Sequence, residues 1–298
     1  MPIRRIVDSH FHLFDLDHAF YPWLSTRPLP QGMAGDVTPI ARPYSIDDYR
    51  TEFGHHPVVK AVHVEAGYDP AKPVEETRFV QSVADAHGFP QAIVAKVALD
   101  EDGAEALLEQ HARYRNVRGI RHMLNWHADP SKTYTPRNFL DDPRWVANYG
   151  KLARFGFSFD LQLYAGQMRQ AAELVARHPA IRVVIDHGGM PVDRAPHDIA
   201  HWRAGLAQLA AVPHVAIKIS GLGMCDHRWT LDSIRPFVLT IVDLFGPARC
   251  MVGSNFPVDK LYSSYESLFD AFDTITRGFS DGERDLLFAG AAETFYRI

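Results

Sequence analysis

The chain has 298 residues, 46% of them hydrophobic and 22% charged, with a formal net charge of −5; this supports one sizeable globular core and excludes a fibrous or disordered chain. Lys and Arg form no basic run, which argues against a nucleic-acid partner, and no apolar stretch approaches the roughly 20 residues of a membrane span. Only Cys225 and Cys250 are present, outside any CxxC or CxxH spacing, and the opening MPIRRIVDSH lacks an apolar segment, so a cytoplasmic protein without a disulfide framework is expected.

Eight short, nearly continuous apolar runs follow one another along the chain: Ile6–Leu13, Val58–Ala66, Ala92–Leu99, Val117–Leu124, Phe157–Leu163, Ile181–His187, His214–Ser220 and Cys250–Asn255. They read as strands buried on both faces. Amphipathic stretches stand among them: Ile46–Gly54, Glu75–His87, Glu101–Tyr114, Pro143–Phe155, Gln167–Arg177, Asp198–Ala211, Leu231–Phe245 and Gly282–Phe295. Gly88, Gly156 and Gly246-Pro247 punctuate the helix ends, and Ser280 with Glu283 forms a capping box. Eight β runs alternating with helices predict a parallel sheet closed into a (β/α)8 barrel, a single domain over 1–298. No GxGxxG follows the first strand, which argues against a dinucleotide site. A long segment, about 14–57, separates the first two strands and contains the Pro-rich, aromatic Tyr21-Pro-Trp23-Leu. Loops that leave the C-terminal ends of barrel strands open onto the active-site face, so Tyr21 and Trp23 are expected to wall a pocket.

Three strand ends carry chemistry. In Val7-Asp8-Ser9-His10-Phe11-His12, side chains two apart share a face, so Asp8, His10 and His12 are expected to point together into the barrel. Two imidazoles so placed can chelate one metal ion. In Val183-Val-Ile-Asp-His187-Gly-Gly, His187 ends a strand as a third ligand or a base. In Met251-Val-Gly-Ser-Asn255-Phe-Pro-Val-Asp259, Asn255 can orient a water or a carbonyl, and Asp259 can serve as a base if the turn folds it inward. Other strand ends offer His63 and Glu65 on one face, Arg121 and His122 on opposite faces, Gln162, and Lys218. The set suggests a pocket for a small polar substrate. The pairs and singletons His55-His56, His111, His178, His197, His201 and His227 read as surface residues.

The order of DSHFHLFD, YPWL, AVHVEAGYDP, ETRFV, GIRHML, VVIDHGGMP, IKISGL, MVGSNFPVD and AETFYRI resembles the amidohydrolase-2 group, from about Ile6 to Ile298. The branch is the one containing sugar-acid lactonases and 2-pyrone-4,6-dicarboxylate lactonase. The resemblance implies a (β/α)8 barrel that hydrolyses a lactone or related acyl bond. It maps His10 and His12 onto the strand-one HxH pair and His187 onto a later histidine that binds metal or substrate. Many relatives end the eighth strand in Gly-Ser-Asp, where that Asp activates water; here the position is Asn255. Gln162 stands where binuclear relatives have a histidine. The resemblance therefore implies one divalent ion at most, zinc first, or metal-independent hydrolysis. Asp259 or Glu65 then takes the proton, and Arg121, His122 or Lys218 pairs with the substrate. A decarboxylase on the same fold and an inactive ligand-binding relative are the alternatives, and a homo-oligomer is left open.

Overall fold

The computed structural model describes residues 3–30 and 32–298. Eight parallel strands stand in the order β1 to β8: Ile6–Phe11, Val58–Val64, Ala92–Lys96, Val117–Arg121, Ser158–Leu161, Val183–Ile185, Val215–Ile219 and Cys250–Val252. All eight expected runs are strands, shorter by two to four residues, lost mainly where their C-terminal ends pass into loops. Beyond β8 the chain turns back to β1: Asn255 N–H donates to His10 O at 2.7 Å, and His12 N–H donates to Phe256 O at 2.8 Å. A parallel bridge between Phe11 and Phe256 completes a nearly closed barrel in one domain.

Val7, Val62, Val64, Val94, Val184, Ala216 and Met251 fill the barrel interior, and Phe295 and Tyr296 of the last helix plug it from below. The complementary strand residues join a larger apolar layer under the helices. Those helices are α1 Pro22–Ser25, α2 Ile46–Thr51, α3 Glu75–His87, α4 Ala104–His111, α5 Pro143–Phe155, α6 Met168–Ala176, α7 Pro196–Ala210, α8 Leu231–Phe245, α9 Tyr265–Ile275, α10 Asp281–Asp285 and α11 Ala291–Tyr296. Helices α3, α5 and α8 match the sequence reading at both ends, and the Ser280–Glu283 capping box is present. Helix α9 was not anticipated. Its pattern is nonetheless legible, since Leu268, Phe269, Phe272 and Ile275 are buried on one face and Ser264 caps its start. None of the helices among the described residues is long and apolar enough to cross a membrane.

One expectation about β1 fails for a physical reason. Between β1 and β2 the register slips from Asp8↔Ala61 to Phe11↔His63, three residues against two. This β-bulge reverses the alternation of faces. Asp8 therefore points outward, where its Oδ2 accepts from Tyr49 OH at 2.7 Å and Tyr265 OH at 3.2 Å. Its Oδ1 accepts from Ser254 N–H at 2.8 Å and so pins the closing segment after β8. Past the bulge, His10 and His12 face inward without Asp8.

Candidate active site

The three strand-end histidines converge. Ring centroids of His10 and His12 lie 5.0 Å apart, and those of His10 and His187 lie 4.5 Å apart. All three rings are almost fully buried. His187 and Asn255 hold left-handed backbone, with φ of 55° and 57°. Such conformations at non-glycine residues cost about 1–3 kcal/mol and concentrate at functional sites. Gly221 makes the His187 position possible, because a Cβ on it would meet His187 Nδ1 at 2.4 Å.

Beneath the histidines lies a closed charge network. The ammonium of Lys218, fully buried, reaches Asp160 Oδ2 at 2.5 Å, Asp186 Oδ1 at 3.0 Å and His10 Nδ1 at 3.2 Å. Tyr296 OH also donates to Asp160 Oδ2 at 2.8 Å. Burial pushes the Asp160 carboxyl upward against the pull of Lys218, whereas Lys218 and His10 together overcome burial and hold Asp186 well below the usual range. Lys218 thus holds the floor together and is shut off from any substrate.

A cavity of about 490 Å³ opens above, at the C-terminal ends of the strands. His12, His187, Arg121, Gln162, Asn255 and Trp23 line it, as expected from the sequence. Lys96, from the end of β3, and Tyr134 and Met224, from loops, line it as well and were not singled out. The signal for Lys96 was a charged residue inside the apolar run Ala92–Leu99. Asp160 was missed too, although it precedes Gln162 by two and so shares its face.

Other expected residues sit elsewhere. Tyr21 is buried behind the wall, with Asp15 N–H donating to its hydroxyl at 3.2 Å. His63 packs edge-on against both Phe11 and His12, within electrostatic reach of Glu65 and Arg121, but does not line the cavity. His122 Nδ1 accepts from Leu99 N–H at 3.2 Å and Trp145 Nε1–H at 3.1 Å, away from the cavity. Of the Arg121-His122 pair, Arg121 alone looks inward. Among the presumed surface histidines, His56 and His111 are buried, His111 against Thr77 Oγ1 at 3.1 Å.

The two carboxylates expected as bases, Glu65 and Asp259, lie behind the cavity wall and do not line it. Glu65 Oε1 accepts from Arg121 Nε–H at 2.8 Å, and Arg121 also donates to Gln162 Oε1 at 3.0 Å. Burial would raise Glu65, but Arg121 and then Lys96 outweigh it and hold the carboxyl at about 2. Asp259 stands behind Asn255, whose Nδ2–H donates to its Oδ1 at 3.0 Å. Its Oδ2 has no partner, and burial lifts its pKa to about 7.

Whether the site suits a metal ion turns on tautomers. His12 Nδ1 lies 2.8 Å from Val64 O, an acceptor only, so it carries the proton and Nε2 presents a lone pair to the cavity. Burial lowers His12 to about 4 and His187 to about 3, so both rings are neutral near pH 7. His12 Nε2 faces Asn255 Oδ1 at 3.3 Å, and two facing acceptors call for a donor or a cation near them. Buried His10 Nε2 has no partner. With its proton on Nδ1, toward Asp186 Oδ1 at 3.4 Å, His10 offers a lone pair at Nε2; with Lys218 donating into Nδ1, it offers an N–H. The first form fits a divalent ion; the ligand atoms that come within 4.8 Å of one another are those of His10, Asp186 and His187, and the expected His12 stands outside that group. The second form suits a substrate oxygen.

The model of the amidohydrolase family matches residues 7–298. The uncharacterized protein y4mH of Sinorhizobium fredii is 45% identical over 98% of both chains. An L-fucono-1,5-lactonase of Burkholderia multivorans is 31% identical over 98% of this chain and 96% of its own. A crystal structure of an amidohydrolase from Burkholderia multivorans with bound zinc superposes with a TM-score of 0.82, at 28% identity, over 98% of this chain and 99% of that one. The inward HxH pair, the strained histidine after β6 and the match along almost the whole barrel agree: this chain belongs to the amidohydrolase family.

Proposed function

We propose that the chain hydrolyses the ring ester of a small polar lactone, of the sugar-acid or carboxylated kind, at the mouth of the barrel. The observation that carries this reading is the cavity whose base is made by neutral His12 and His187 and whose walls are made by Arg121, Gln162, Lys96 and Asn255. The 31% identity to a lactonase over 98% of the chain supports the same reaction class.

His10, His12 and His187 would hold one divalent ion, zinc by preference for nitrogen ligands. When bound, such an ion polarises a carbonyl and lowers the pKa of a water toward ~7. The rest belongs to the protein. Arg121 and Gln162 grip ring hydroxyls or a carboxylate. Lys96, which lines the cavity, adds a positive charge on the same side. Asn255 orients the attacking water through Oδ1, its amide held by Asp259. Asp259 takes the proton, since a carboxyl near 7 is half ionised at neutral pH and is matched to general-base work. Glu65, held at about 2, is too weak a base and instead fixes Arg121.

The test is acid release in a pH-stat from a panel of five- and six-membered sugar-acid lactones and a pyrone dicarboxylate. Elemental emission on the purified protein and on its chelated form accompanies it. Turnover of a lactone is expected, with one equivalent of zinc that a His10→Ala, His187→Ala variant loses if His10 is in its lone-pair form. Release of CO₂ from a carboxylated aromatic, with no lactone hydrolysed, would replace the reading by a decarboxylase. Tight binding without any turnover would make the chain a ligand-binding relative.

A further inference from the structure

A second group of metal-ligating side chains lies outside the barrel mouth, on the outer surface where α2 and α9 meet. His55 and His56 end the segment that leads from α2 into β2, and Glu266 and Asp270 stand one turn apart on α9. His55 Nε2 lies 3.3 Å from Asp270 Oδ1, and His56 Nε2 lies 3.4 Å from the same oxygen. The two rings are 4.2 Å apart between centroids. Ligand atoms of His55, His56 and Asp270 all fall within 4.8 Å of one another. None of the four residues lines the cavity of the candidate active site.

Glu266 gives the cluster a direction. Its Oε1 lies 3.2 Å from His55 Nδ1 and accepts that nitrogen's proton, so that His55 Nε2 carries the lone pair toward Asp270 and His56. A carboxylate on the far nitrogen of an imidazole is the usual outer partner of a histidine that ligates metal. Gly54 makes room for it: with φ at +55°, a Cβ there would fall 2.1 Å from Glu266 Oε1. His56 is buried against the Phe269 ring, 5.6 Å between centroids, while His55 and Asp270 are exposed. One ligand is therefore rigid and two can adjust, with a side open to water.

We infer that His55, His56 and Asp270 form a surface site for a divalent transition metal, zinc in the first place, with Glu266 orienting His55. Two imidazole nitrogens and one carboxylate leave a fourth, water-filled position in a tetrahedral shell. The metal would clip the approach to β2 onto α9. Both elements flank β1, because Tyr49 of α2 and Tyr265 of α9 meet on Asp8. Without metal, the two imidazoles share the Asp270 carboxylate and His56 Nε2 also lies 3.4 Å from Glu266 O, a contact that a metal on Nε2 would displace.

Zn²⁺ titration of the chelator-treated full chain by calorimetry tests this, with thermal melts alongside. Wild type is expected to bind one equivalent more than the His55→Gln, Asp270→Asn double variant, and to lose that excess stabilisation in the melt. Glu266→Gln should keep the equivalent but weaken it by about 10- to 100-fold. Zinc in the barrel mouth is common to all three proteins and cancels, and no hydrolysis is read, so failure here leaves the lactonase reading standing. Identical stoichiometry and identical zinc-dependent melting in wild type and double variant would overturn the site. A lost equivalent in the double variant with no change in Glu266→Gln would overturn the role of Glu266.

Discussion

Glu65, at the end of β2, and Asp259, in the turn after β8, are both 1% exposed. Yet one carboxyl is held at about 2 and the other is lifted to about 7. Burial raises both. Glu65 meets the Arg121 guanidinium at 2.8 Å and Gly67 N–H at 2.9 Å, whereas Asp259 has only the Asn255 amide and the Gly223 backbone near it and, among the described residues, no cation. The presence of a cation, not depth, separates them. The β2–β4 side of the mouth is thereby a fixed, charged wall, and the β8 side can exchange a proton near neutral pH. The roles proposed for the two carboxylates rest on that difference.

The strongest way to break the comparison is to make the first region resemble the second. Arg121→Met leaves Glu65 buried without its cation, and removing one partner of a buried ion pair typically costs about 3–5 kcal/mol. Urea denaturation at pH 7 should show a loss of that size, partly recovered at pH 5, where Glu65 can protonate. A loss below about 1 kcal/mol would mean that the pair does not set the state of Glu65.

A second experiment sharpens the contrast at β8. Asp259→Asn is expected to lower kcat by at least about 10²-fold, roughly 2.7 kcal/mol on the barrier, while leaving the fold intact. In wild type, kcat should rise through a pH near 7, because His12 and His187 are already neutral well below it. The variant should lose that rise. Stability gives an independent reading of the same proton. Asp259 titrates at about 7 when folded against about 3.9 when unfolded, so the native chain holds the extra proton between those values. The contribution is complete below about pH 4 and is lost as pH rises through about 7; relative to the Asn variant, wild type should weaken across that window. Full activity of Asp259→Asn beside a dead Glu65→Gln would reverse the assignment.

Much of this was legible in the sequence, for reasons that can be named. The eight strands announce themselves because both of their faces are buried, so their apolar runs are nearly unbroken. His10, His12 and His187 were found because each ends such a run. What the sequence concealed depends on register and on partners. The bulge between Asp8 and Phe11 turns Asp8 outward to Tyr49 and Tyr265, and no alternation rule shows a bulge in advance. Lys218 was legible as a charge in a buried strand, but its three partners come from β1, β5 and the turn after β6, and only the closed barrel brings them together. Tyr21 and Trp23 are two residues apart on one loop; which of them faces the cavity depends on how that loop folds back on Phe14.

Trp23 tests the wall itself, and the effect expected is the smallest. Its indole Nε1–H donates to Ala66 O at 2.7 Å and its ring lies over Gly67, where a Cβ would come within 3.2 Å. The side chain is thus fastened to the β2 loop, next to Glu65, on the fixed side of the mouth. Pro22 and Ala66 line the cavity beside it. Trp23→Ala removes apolar wall without touching a histidine or either carboxylate. If the substrate leans on that ring in the ground state and the transition state alike, KM rises about tenfold, close to 1.4 kcal/mol, and kcat holds. A fall in kcat with KM unchanged would mean that the ring acts on the transition state. A change in the pH profile would carry more weight still, because Trp23 belongs to the side that holds its charge; a shift in the limb near pH 7 would show the two sides to be coupled through the substrate rather than independent.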